Sequence, residues 1–206
     1  MAVAGFVLEL GGWWLVAWRG RDVWRVMPPV LATMGVAALL ARRPVAAAGV
    51  SVAAAGWVGL ASGLGLYVAT RIFVSAAARW EPFRSATAAI YGEARSVARS
   101  QALVLSLAVM VPGEELFLRG LVQPRLAAIH ALGAGGAAVL TWLAYTAVNL
   151  ASRSMPIVAG AFVGGALWAA LAWWSGGMLA SLASHILWTG LMLALPPGAG
   201  RERRSG

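Results

Sequence analysis

From Val3 onward the chain is a succession of continuous apolar runs, separated only by short junctions rich in arginine, proline or glycine. In hydrocarbon every backbone N–H and C=O must find an internal partner, so a spanning segment is a helix or a strand of a closed barrel. Barrel strands alternate apolar and polar residues; these runs do not. Only 11% of the 206 residues are charged, against roughly 25% in soluble domains, and the mean hydropathy is +0.78. The pattern predicts an all-α fold, a polytopic transmembrane helical bundle of about seven to eight crossings at ~20 residues each.

All 16 basic residues are arginine, and the net charge is +9. They fall mostly between the apolar runs, where they set topology and meet anionic headgroups. The partner this implies is the lipid bilayer, and no nucleic acid is expected. The absence of cysteine excludes disulfide and thiol chemistry. His130 and His185 are the only histidines and form no HExxH or two-histidine spacing, so no metal and no cofactor are expected. The N-terminus lacks a basic region followed by a cleavage site and reads as a first membrane helix.

In chain order, residues 1–80 are predicted to hold N-terminal transmembrane helices. The first runs from Val3 to Trp18 and carries Glu9 near its middle, read chiefly as a packing contact or the partner of an arginine on another helix. A second follows from Trp24 to Ala41 with Pro28 and Pro29 in its first turns. Val45 to Trp80 reads as one long helix, its Gly59–Gly63 pair suited to close packing. Residues 81–99 form a polar interfacial linker, with an amphipathic helix as one form it can take. Residues 100–195 are a second transmembrane unit, in which Pro112 kinks the path or restarts a helix. Gly133, Gly135 and Gly136 mark a turn, Ser175-Gly176-Gly177 another, and residues 196–206 are a basic tail. The basic junction around Asp22, the linker, Arg153 and the tail place one end of the bundle in the cytoplasm. Arg42 and Arg43 then fall outside, against the rule.

Within the second unit, polar residues in apolar context are few: Glu114, Glu115, Arg119, Asn149, His185 and Thr189. Glu115 and Arg119 are four apart, acid first, the favourable order for an ion pair on a helix. His185 and Thr189 share a face in the same way. Ionisable groups at membrane depth tend to mark function. A carboxylate can serve as general base toward water, and a histidine with an amide or hydroxyl can steady an oxyanion. A network that only holds helices together fits the same residues equally well.

The phrase Glu114-Glu115-Leu116-Phe117-Leu118-Arg119-Gly120, followed by Pro124, resembles the Glu-Glu-x-x-x-Arg motif of the CAAX-protease and bacteriocin-processing family (CPBP, or Abi). Its members resemble Rce1-type prenyl-protein endopeptidases and are described as intramembrane glutamate proteases. The resemblance covers roughly residues 97–195, so the 100–195 unit reads as a CPBP-like core. It implies that Glu114 activates water, that Glu115 and Arg119 support it, and that His185 helps hold the oxyanion. Two positions depart. Tyr145-Thr146-Ala147-Val148-Asn149 resembles the second motif with Asn149 in place of histidine, and Thr189 stands where the last motif usually has asparagine. Asparagine can orient water but cannot take its proton at neutral pH. The function implied is a metal-independent intramembrane endopeptidase acting on a lipidated or membrane-anchored peptide or protein. It would sit in a bacterial cytoplasmic membrane with its C-terminus inside. The alternative is a catalytically degenerate relative that binds a hydrophobic peptide, lipid or membrane partner protein.

Overall fold

The computed structural model describes residues 2–94 and 97–196. Arg95 of the linker and the basic tail from residue 197 onward lie outside the described residues. The described residues form eight helices: α1 (Ala2–Arg19), α2 (Val23–Ala41), α3 (Val52–Ala77), α4 (Glu81–Ala94), α5 (Arg99–Ala127), α6 (Gly133–Asn149), α7 (Met155–Ser175) and α8 (Leu179–Ala194). The fold is all-α. Five of them are long and apolar enough to cross a membrane: α2, α3, α5, α6 with the turn after it, and α7. The 18-residue α1, with Glu9 and Arg19, and the 16-residue α8 complete the bundle as more polar or shorter helices. Large apolar side chains such as Leu40, Trp57, Ile72 and Val163 face outward, while Glu9, Glu115, Arg119 and Ser181 are buried. That inversion of the soluble pattern suits a lipid surround.

Lipid tails are as apolar as leucine, so the helices are held by close packing and polar contacts rather than by hydrophobic burial. Glycines supply the close contacts. A Cβ on Gly35 of α2 would lie 2.7 Å from the Gly113 Cα of α5, so the two backbones touch one residue before Glu114. The Gly59–Gly63 pair lets α3 lie on α8: a Cβ on Gly63 would come 2.6 Å from the Ser184 carbonyl.

The region 45–80 differs from the single helix expected. The helix starts only at Val52, where the Ser51 hydroxyl accepts from the Ala54 N–H at 3.1 Å as an N-cap. Before it, residues 44–51 form a bent, non-helical strap that serves two helix ends at once. The Val45 and Ala46 carbonyls accept from the Met178 and Leu179 N–H groups at the start of α8, each at 2.9 Å. The Ser175 carbonyl at the end of α7 accepts from Ala48 N–H at 3.0 Å and Gly49 N–H at 2.9 Å. Helix termini leave such groups unpaired, and the strap satisfies them. Gly176, at φ 64°, makes the left-handed turn that brings them together.

Pro112 neither breaks nor restarts the helix, because α5 runs unbroken through both Pro112 and Pro124. Two wider, π-helical stretches, Ser106–Met110 and Leu116–Val122, precede the prolines. A proline cannot donate to the carbonyl four residues back, and its ring crowds that carbonyl. Those carbonyls belong to Ala108 and Gly120, inside the two π stretches. The wide turns thus absorb both prolines, and the Glu-Glu pair lies between them. The glycine-rich turn expected at 133–136 also shifts: only Gly133 has the left-handed φ, at 61°, and Gly135 and Gly136 already belong to α6. The polar linker contains the helix α4, anchored by buried Phe83, whose ring meets Phe73 edge-on.

Candidate functional site

The site is assembled on Glu115. Its carboxylate is fully buried and holds three side chains. Arg119, one turn along α5, donates through Nη1 to Oε1 at 3.3 Å. His185 of α8 places Nδ1 2.9 Å from the same oxygen, as a donor if the carboxylate is ionised. Ser181, one turn before His185, donates its hydroxyl to Oε2 at 2.7 Å. Glu115 therefore ties α5 to α8.

Arg119 extends the network to α7, donating through Nη2 to the Gly165 carbonyl at 3.2 Å. Its guanidinium lies 5.3 Å from the Tyr145 ring centroid and 5.9 Å from that of Trp168. Gly165 permits this crowding, since a Cβ there would come 2.7 Å from the Tyr145 ring. Trp168 stacks flat on the His185 imidazole, centroids 3.5 Å apart and planes 15° off parallel. The Nδ1 contact and this stacking together fix the imidazole.

Glu114, rotated about 100° from Glu115 around the helix axis, stands apart from this network. Its Oε1 is 3.9 Å from His185 Nδ1, beyond hydrogen-bond length, and is buried without a hydrogen-bond partner. The Tyr145 phenol of α6 faces it. Glu114 is thus a carboxyl with a free oxygen beside a fixed imidazole, which is what a group acting on a ligand or a water requires.

Donor atoms of Glu114, Glu115 and His185 lie within 4.8 Å of one another, compact enough to hold a metal ion. Their present engagement does not suit one. Both Glu115 oxygens already accept strong donors, and His185 Nδ1 is committed to Glu115. Glu114 Oε1 is the one atom of the three residues known to be buried and unpartnered.

On its cleft side, Arg119 joins Arg42, Gln123, Trp173 and Gly176 in lining an opening of about 420 Å³. The interior cluster therefore reaches, through one side chain, a space at the end of the bundle where the strap runs.

Of the residues singled out from sequence, Glu114, Glu115, Arg119 and His185 come together. Asn149 and Thr189 do not join them. The Asn149 amide donates to the Tyr145 carbonyl of its own helix at 2.9 Å, and it makes no hydrogen bond to Glu114 or His185. Thr189 is half-buried one turn beyond His185, with no hydrogen bond to the cluster. Sequence reasoning missed Ser181 and the position of Trp168, and it ranked Glu9 as a packing group. Ser181 was within reach of a sequence argument, since it lies four residues before His185 on the same face. Trp168 carried no signal that set it apart from the other tryptophans.

Residues 97–191 match the family described as Type II CAAX prenyl endopeptidase Rce1-like. That segment spans α5 to α8 except the last turn, and it carries Glu114, Glu115, Arg119, Asn149, Ser181, His185 and Thr189. No curated protein and no solved structure matches the chain significantly.

Proposed function

We propose that the cluster is the hydrolytic centre of an intramembrane endopeptidase of the CPBP type. One observation carries this reading: Glu114 Oε1 is buried, unpartnered and 3.9 Å from a fixed His185, inside the segment that matches the Rce1-like family. In this scheme Glu114 takes a proton from a water as its oxygen adds to the scissile carbonyl. His185 and the Tyr145 phenol supply donors for the developing oxyanion. Glu115, Arg119 and Ser181 keep the imidazole and the helices in register. No step calls for a metal ion. The substrate would be a lipidated or membrane-anchored peptide, since the groups that act on it lie within apolar helices. The setting we propose is a bacterial cytoplasmic membrane, and the arginine distribution supports a C-terminus on the inner side.

The second reading is a degenerate relative that binds such a peptide, or a lipid or membrane protein, without cutting it. Asn149 favours it: its amide N–H donates to the Tyr145 carbonyl of its own helix, and an amide cannot take the proton that the second-motif histidine it replaces is expected to help the glutamate handle.

Cleavage of membrane-anchored peptides by the reconstituted protein separates the two. The endopeptidase reading expects turnover by the parent and a loss of about 10³-fold or more in Glu114→Gln, which removes the general base but not the shape. Turnover absent from the parent and restored in Asn149→His would establish the degenerate reading.

A further inference from the structure

Glu9 has no part in the scheme above, yet it is 1% exposed in the middle of α1. It lies outside the segment that matches the family. Packing presses α1 onto α5 at this level: Gly5 sits against the Phe117 ring, and Phe6 meets the same ring edge-on with centroids 5.3 Å apart. One turn along, the Glu9 carboxyl comes within charge-interaction range of Glu114 and Arg119 from α5 and of the Tyr145 phenol from α6. The span of α2 that packs on α1 has no titratable residue beyond Arg25 at its start. At the turn after α6, Arg153 is taken up over the Trp18 ring. Glu9 Oε2 and Glu114 Oε1 are both buried without a hydrogen-bond partner.

The charges do not balance without a proton. Arg119 supplies one positive charge, and His185 a second when protonated. Three carboxyls oppose them: Glu9, Glu114 and Glu115. Net charge in a low-dielectric interior is costlier than a proton taken up from water. Glu115 is saturated by Arg119, His185 and Ser181 and is the ionised member of its pair. The proton then belongs to the other two carboxyls.

We propose that Glu9 is a positioning residue that shares one proton with Glu114 through a bridging water, and so sets the protonation state of the group that acts on substrate. The proposal rests on the hydrolytic reading of Glu114. The pair begins with one proton and with Glu114 ionised. Glu114 takes a second proton from the attacking water as the water oxygen bonds to the carbonyl carbon. The C–N bond then breaks, the leaving nitrogen takes one proton from the pair, and one proton remains. The sum is one water consumed for one peptide bond cut.

Infrared spectra of the full chain in lipid vesicles test the shared proton without any need for turnover. The variants are Glu9→Gln and Glu9→Asp, with the unfolding midpoint recorded for each as a check on folding. The expected result is a protonated-carboxyl stretch in the parent at neutral pH, shifted in Glu9→Asp and lost in Glu9→Gln. The same band in parent and Glu9→Gln, or no such band in the parent, overturns the proposal. With a cleavable membrane-anchored peptide, the acid limb of the pH profile moves to higher pH in Glu9→Gln while KM stays fixed, because an amide cannot share a proton with the Glu114 carboxylate and the singly protonated pair loses that stabilisation. A limb that stays in place also overturns it. If the band behaves as expected and no form cuts any peptide, the shared proton stands and the endopeptidase reading falls.

Discussion

Glu115 and Glu114 are adjacent in sequence and opposite in situation. Glu115 is the brace: removing its carboxylate takes from Arg119 and His185 their nearest countercharge in the interior. Breaking one side of a buried ion pair costs about 3–5 kcal/mol. Glu115→Ala is therefore expected to lower unfolding stability in detergent by about that much, whatever it does to activity. Ser181→Ala removes one hydrogen bond to a charged acceptor and is expected to cost about 1.5–3 kcal/mol. Glu114→Gln, which disrupts no such pair, should leave the unfolding curve nearly in place. Circular dichroism or intrinsic tryptophan fluorescence during denaturation checks all three; equal losses for Glu114 and Glu115 variants would contradict this division. This part of the site was legible in the sequence, because charged residues four apart in an apolar helix have few places to go. The partners on other helices were not. That Ser181 shares a face with His185 was readable, but not that this face meets Glu115, and nothing in the order of residues along α1 reveals which helix buries Glu9.

Among the elements, α5 departs furthest from what its sequence suggests. Pro112 predicts a kink or a restart, and the helix runs on without restarting, wider ahead of both Pro112 and Pro124. π stretches recur at functional sites because they re-aim side chains without ending the helix. Here they bracket Glu114 and Glu115. The sequence shows where the prolines are but not the wide turns ahead of them, and α2 packs on this stretch through the Gly35–Gly113 contact. That contact is testable: a Cβ at Gly113 would strike the Leu31 carbonyl, which cannot move without moving α2. Gly113→Ala is expected to destabilise the protein by about 1–3 kcal/mol, the usual cost of overpacking. Gly120→Ala, where the nearest atom a Cβ would meet is the Met178 sulfur at 3.6 Å, should be tolerated. Paired thermal unfolding curves decide it. The strap at residues 44–51 was illegible for a related reason. Its residues are as apolar as a helix, and its non-helical path is fixed by hydrogen bonds to the ends of α7 and α8, which lie more than 100 positions away in sequence.

At the scale of the whole molecule, the arginines divide between the two ends of the bundle. Arg153 lies over the Trp18 ring, which puts the turn after α6 beside the α1–α2 junction with Arg19, Arg21 and Arg25. The strap holds the start of α3 and the end of α7 at the other end, so the end of α3, with Arg71 and Arg79, returns to the Arg153 side. The end of α8 emerges there too, its Leu195 carbonyl accepting from the Tyr67 hydroxyl at 2.9 Å. Arg42, Arg43 and Arg125 are left at the strap end. By the positive-inside rule the first group is expected at the cytoplasmic face. The departure of Arg42 from the rule has a local reason, since it lines the cleft beside Arg119. The chain has no cysteine, so single cysteines report sidedness cleanly. In sealed, right-side-out vesicles, a membrane-impermeant thiol reagent is expected to label Arg43→Cys directly and Arg21→Cys only after permeabilisation. Labelling of both from the same side would contradict the packing of α2 as one crossing. Reversed labelling would keep the bundle but place the cleft in the cytoplasm, so that substrate would have to enter from within the cell.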